Sequence, residues 1–268
     1  MVAARHKHFT QKLKYPLPES GLAATYAPCY NAFRLTTGAI ILFAPLSLND
    51  PFTAFLLVMA AVLMAGYAVG RWTNLRRSRR ISAWLEPGLR SLRGTPLVHP
   101  VQRSIFRIQV TNARRPFQTV TASVVLISRE VLPTWIWEKL HRRHDLLVVH
   151  VTFRQPPAQE VEIVDPGNEL GRRGLAQIKD LDWPAADVPP RLRLYHAPST
   201  SPACAQAMAV AVAASPFGPW RVALRRAAPH LLLSMPLPDL DRADSKKLVD
   251  WLNELSKLVQ FDPGESVS

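Results

Sequence analysis

The side chains whose types and spacing come nearest to metal chemistry are His141, His144 and Asp145, in the stretch HRRHD. Two histidines at i and i+3 share one face of a helix, and a zinc site takes three or four such ligands. Arg142 and Arg143 place positive charge on the same turn, and neither an H-E-x-x-H spacing nor a cysteine cluster adds to the pair. The stretch therefore reads as a solvated helix end with cations near its C-terminus. For phosphate binding the candidate is Gly167, Gly171 and Gly174 around Arg172 and Arg173 (PGNELGRRG). It lacks both the G-K-[ST] of a P-loop and the G-x-G-x-x-G of a dinucleotide turn, so a flexible loop is expected. Glu160 and Glu162 are the nearest pair of carboxylates for acid–base work. They stand two apart on an expected strand edge, and so are expected to face solvent. There is no G-x-S-x-G elbow. Cys29 and Cys204 read as free thiols in a reducing compartment. The expectation is a protein that is not an enzyme, with no catalytic residues, no cofactor and no metal.

Position matters more than chemistry for the charges. The 268 residues carry a formal net charge of +13, which by itself suggests nucleic acid. Residues 1–115 hold 16 Lys and Arg against 3 acids, and residues 116–268 hold 17 against 17. The excess brackets the most apolar part of the chain, and the remainder is neutral. A nucleic-acid partner is therefore not expected.

Two uncharged runs lie inside that basic bracket, Leu35 to Asn49 and Pro51 to Gly70. A membrane span needs about 20 apolar residues. The second run has that length alone; Tyr30, Ala32 and Phe33 extend the first past Arg34, whose stem can snorkel to the headgroups. Asp50 caps the second helix and Pro51 falls at its first position, where the missing N–H costs nothing. A link this short predicts an antiparallel hairpin with spans of about 30–48 and 51–71. Lys and Arg flank both outer ends and the tip has none, which places both termini in the cytoplasm by the positive-inside rule. The lipid bilayer, as the cytoplasmic (inner) membrane, is the first expected partner. Small residues within the spans, Gly66 among them, permit close helix approach.

The segment 71–93, RWTNLRRSRRISAWLEPGLRSLR, is expected to continue the second helix, bend onto the membrane surface and break at Pro87-Gly88. Arg71, Trp72, Arg76, Arg77, Arg79, Arg80 and Trp84 are its candidate lipid contacts, since basic residues favour an anionic leaflet. Trp135 and Trp137 (TWIW) are candidates for dipping into the membrane surface or meeting a partner.

Beyond residue 98 the pattern is globular. Alternation in 104–110 and β-branched residues in 118–127 predict a hairpin, and LLVVHVTF at 146–153 is the strongest strand. Shorter strands are expected at 161–164, 191–196, 220–224 and 230–235. Helices are expected from Pro133 to His144 and in the Ala-rich 202–216, with a helix or loop at 168–180 and a connector at 183–190. Leu248, Trp251, Leu252, Leu255, Leu258 and Val259 mark a C-terminal amphipathic helix that Asp241 or Asp244 caps. Without regular β-α alternation, the class is α+β with mainly antiparallel strands. The organisation expected is a basic segment 1–29, a transmembrane hairpin 30–72, a juxtamembrane segment 73–97, a cytoplasmic α+β domain 98–260 and a tail 261–268.

Together these features describe a multi-pass membrane protein that presents a cytoplasmic protein-interaction domain, as a component of a secretion, conjugation or envelope-assembly system. The order of a hairpin, a β-rich domain and a terminal amphipathic helix, with the strand–helix step PHLLLSMPLPDLDRADSKKLVDWLNEL, also resembles bacterial membrane-tethered PH-like proteins, which implies a lipid- or signal-sensing module as the alternative. A membrane-bound enzyme is the reading the residues support least, and nothing in them sets the oligomeric state.

Overall fold

The computed structural model describes residues 50–102, 104–141, 143–189 and 191–261. The expected first span, 30–48, lies outside the described residues, as do Cys29 and the last part of the tail. By contacts the chain divides between Thr53 and Ala54. Apart from the first residues of α1, every element below lies beyond that division.

Among the described residues five helices and nine strands follow one another as α1 (Pro51–Ser91), β1 (Thr95–Gln102), β2 (Ile105–Thr111), β3 (Phe117–Val125), α2 (Leu132–Leu140), β4 (Leu146–Phe153), β5 (Val161–Val164), α3 (Glu169–Ile178), β6 (Ala185–Val188), β7 (Leu192–His196), α4 (Pro202–Ala213), β8 (Arg221–Leu224), β9 (Leu231–Pro236) and α5 (Ser245–Lys257). The strands form one sheet in the order β1-β2-β3-β4-β9-β8-β5-β7-β6. Every neighbouring pair is antiparallel. The protein is thus α+β, with the antiparallel sheet its alternating strands imply.

Burial follows that alternation. In β4, Leu147, Val149, Val151 and Phe153 are buried while their neighbours are half-exposed. The buried face of β2, β3 and β4 is covered by the C-terminal half of α1 and by α5: Leu85 and Leu89 of one, with Leu248, Val249 and Leu252 of the other, close over Val120, Ala122 and Val149. Helix α4 packs on β5 and β7, burying Ala205, Met208, Ala209 and Val212 in the same continuous core. Helix α3 packs on β5 and β8. These two strands are buried along their whole length.

Two strands, β1 and β6, are not among the expected elements, and both are sheet edges. β1 (TPLVHPVQ) carries Pro96 and Pro100 and lacks clean alternation. Proline is tolerated at an edge, where an N–H need not join a ladder. β6 (AADV) occupies part of the expected connector. The segment PGNELGRRG is not a loop but the start of α3: Asn168 Oδ1 accepts the Gly171 N–H at 2.7 Å and so caps the helix.

The expected break at Pro87-Gly88 does not occur. α1 runs unbroken for 41 residues through Pro87 to Ser91. Pro87 lies on the exposed side. Gly88 is buried beneath α5, its N–H donating to Ser245 Oγ at 3.1 Å. A Cβ there would stand 2.5 Å from the Ser245 carbonyl oxygen, so the glycine serves close packing and not chain reversal. The end of the helix does not lie along a surface either, because Ile81, Leu85, Leu89 and Leu92 are part of the core. Packing therefore begins well before residue 98.

Candidate membrane anchor and the polar clusters that hold it

α1 has two halves with different surfaces. Asp50 caps it, its carboxylate accepting from the Phe52 N–H at 3.3 Å and the Thr53 hydroxyl at 3.0 Å. From Phe52 to Val69 the helix is apolar around its whole circumference, and Phe55, Val58, Val62, Met64 and Val69 are among its exposed side chains. It is long and apolar enough to cross a membrane, and none of its apolar window is buried in the molecule. From Gly70 onward the helix is buried along one stripe, Gly70, Asn74, Ile81, Leu85, Gly88 and Leu89. That is the three- and four-residue spacing of an amphipathic helix.

Asn74 is the first side chain of that stripe to be locked. Its Nδ2 donates to the Ile127 carbonyl at 3.3 Å, and its Oδ1 accepts from Arg129 at 2.7 Å. One turn on, Arg77 Nε meets Asp145 Oδ2 at 2.6 Å. The same carboxylate accepts from Arg129 at 3.0 Å and from the Ile127 N–H at 2.8 Å. The Asp145 side chain is 3% exposed, and its oxygens are fully used. This cluster joins α1 to the chain on both sides of α2. Sequence reasoning did not single out Asn74 or Arg129. The available signal was Asn74 itself, a polar residue in register with Ile81 and Leu85 on the helix.

The structure sorts the basic residues after the apolar run into two sets. Arg71, Trp72, Arg76 and Arg79 are exposed, with the Arg76 guanidinium 3.9 Å above the Trp72 ring. Arg77 and Arg80 are exposed as well but pair with the domain, on Asp145 and Asp241 respectively. Trp84 also faces the domain, its Nε1 donating to the Ala243 carbonyl at 2.7 Å.

Helix α2 lies against α1 where the apolar half ends. A Cβ on Gly66 would stand 2.4 Å from the Leu132 side chain, and one on Gly70 would stand 1.9 Å from the Arg129 carbonyl oxygen. These are the closest approaches that glycine permits. No residue of α2 is buried. Val131, Ile136, Trp137 and Leu140 are 51%, 52%, 60% and 73% exposed, while Trp135 is half-buried.

The three residues of the metal-like stretch do not converge. Asp145 belongs to the α1 cluster, the His141 ring lies 4.1 Å from that of Trp137, and His144 meets the edge of Trp220. Among the described residues no group of three or more His, Cys, Asp or Glu gathers.

Glu162 departs most from expectation. It faces α3, not solvent, and its side chain is 0% exposed. Arg221 Nε binds it at 2.6 Å, Arg225 binds its other oxygen, and Gln177 of α3 receives Arg221 at 2.5 Å. The Arg225 guanidinium lies 4.8 Å over Trp183. Gly174 makes room: a Cβ there would meet Glu162 Oε1 at 2.8 Å. The carboxylate of Glu162 is thus paired by two arginines, which are held in turn by Gln177 and by the Val161 and Leu224 carbonyls.

Two histidines titrate abnormally. Burial holds the His230 imidazole below its usual range, and its Nδ1 accepts the Phe153 N–H at 2.9 Å. His150 is lowered by burial and, secondarily, by Arg107. No family model matches the sequence, and no curated protein matches it.

Proposed function

We propose that the protein is a non-enzymatic membrane-anchored component of a membrane assembly, in which α1 crosses the cytoplasmic membrane and the α+β domain offers a docking surface to a protein partner on the cytoplasmic side. The observation that carries this reading is the surface of α1. It is apolar on all sides for about the 30 Å of a bilayer core, and an exposed basic and aromatic collar follows at once. A helix apolar all round needs either a protein interior or lipid, and none of this apolar window is buried in the molecule. The neutral count from residue 116 onward favours a protein partner over nucleic acid. Secretion, conjugation and envelope-assembly systems employ such parts.

The test has two arms. The full chain should stay in the membrane pellet after alkaline carbonate and leave it only with detergent; release by carbonate would end the anchor reading. A reporter fused after Ser268 should read out in the cytoplasm, and a periplasmic or extracellular signal would reverse the topology. For the partner, mild-detergent purification should retain a stoichiometric second protein, and a clean single species would count against a docking role.

A further inference from the structure

We propose that α2 is a second membrane element, a short helix lying in the plane of the cytoplasmic leaflet with Ile136, Trp137 and Leu140 in lipid. The inference rests on the anchor reading of α1 and adds a face to it. Three observations carry it. The first is depth. Leu132 packs on Gly66, five residues inside Arg71 on the apolar side. At 1.5 Å per residue this sets the start of α2 roughly 7 Å below the first collar arginine. Amphipathic in-plane helices sit about 5–10 Å into the boundary between headgroups and acyl chains. The second is surface. No residue of α2 is fully buried, Leu132, Trp135 and Glu138 being half-buried, and the helix exposes Ile136, Trp137 and Leu140, a grouping costly to leave in water. The third is continuity. This patch begins where the exposed apolar surface of α1 ends, so one solvent can cover both.

The charges agree. Lys139 lies in the last turn of α2, and exposed Arg71 and Arg76 stand on the neighbouring collar of α1. Cations at this level would meet anionic headgroups. Trp137, with an apolar body and one N–H, is the residue type enriched at that depth.

Site-directed spin labelling of the full chain tests the placement. With Cys29→Ser and Cys204→Ser as background, single cysteines replace Trp137, Leu140, Met64 and Lys257, and each variant is reconstituted in phosphatidylethanolamine–phosphatidylglycerol vesicles. Met64 reports on the span. Lys257 is the aqueous reference, since it lines a groove with Ser91 at the far end of α1. Collision with oxygen relative to a water-soluble nickel chelate should be several-fold higher at 137 and 140 than at 257, and similar to that at 64. Labels at 137 and 140 that behave like 257 while 64 remains in lipid would overturn the inference and leave the anchor intact. Shielding of both sites from both reagents would overturn it in favour of a protein cover. A label at 64 that behaves like 257 would overturn the anchor, and this inference with it.

Discussion

At the scale of single residues, two glutamates two positions apart have opposite fates. Glu162 is enclosed by Arg221, Arg225 and Gln177, whereas Glu160 accepts from the exposed Arg226 N–H at 3.3 Å. Removing one member of a buried ion cluster leaves uncompensated charge, so Glu162→Ala should lower unfolding free energy by about 3–5 kcal/mol. Glu160→Ala should cost less than about 1 kcal/mol. Urea denaturation of the detergent-solubilised chain measures both. The burial of Glu162 was not legible in the sequence, because its cover comes from a helix whose glycines looked like a loop. The histidines add a pH dependence. Burial keeps His230 and His150 neutral in the fold, so at pH values between their lowered native range and about 6.5 the unfolded chain binds more protons. The contribution of the neutral imidazoles is complete above about 6.5 and is lost as pH falls. The urea midpoint should drop between about pH 7.5 and about pH 5.5. His230→Asn, whose Oδ1 can still accept from Phe153, should flatten that slope.

At the scale of elements, what could be read and what could not divide along a physical line. β2 announces itself by alternation, β3 and β4 by their runs of β-branched and apolar residues, and α5 by its three- and four-residue spacing. The edges β1 and β6 have only one neighbour, tolerate proline and small residues, and leave little trace in the sequence. The α1–α2 contact was half legible. Gly66 marks a close approach, but the partner that the sequence suggested was another helix in the membrane, and the structure supplies α2. Gly70 is the stricter of the two glycines. A methyl group there runs into the backbone oxygen of Arg129, whereas at Gly66 it meets the movable end of Leu132. Gly70→Ala should therefore destabilise the α1–α2 junction by about 1–3 kcal/mol, the usual cost of overpacking. Gly66→Ala should cost clearly less. The rate of proteolytic cleavage within 126–131 in detergent reads out the difference.

At the scale of the whole molecule, the core does not begin where the globular pattern does. Ile81, Leu85 and Leu89 lie on the helix that emerges from the apolar segment, and Leu92 just past its end, yet all four are buried in the domain. Each such side chain contributes about 1.5–3 kcal/mol, and together they are comparable to the net stability of a typical domain, about 5–15 kcal/mol. A fragment of residues 98–268 should therefore be poorly folded, with collapsed amide dispersion by NMR. A fragment beginning near residue 72 should give a dispersed spectrum. The asymmetry of charge was legible from counting alone; that the basic helix doubles as core was not, because its arginines mask the apolar stripe between them. The absence of a break in α1 has a mechanical consequence. From Arg71 to Ser91 the helix extends roughly 30 Å, and it is clamped along that length by Asn74, Arg77 and the core leucines. On the anchored reading it is a lever without a joint. A change in tilt of about 20°, within the range spanning helices adopt, would swing its far end by about 10 Å and carry the sheet with it. Bilayer thickness, or a neighbour pressing on the span, would then be reported as a displacement of the domain.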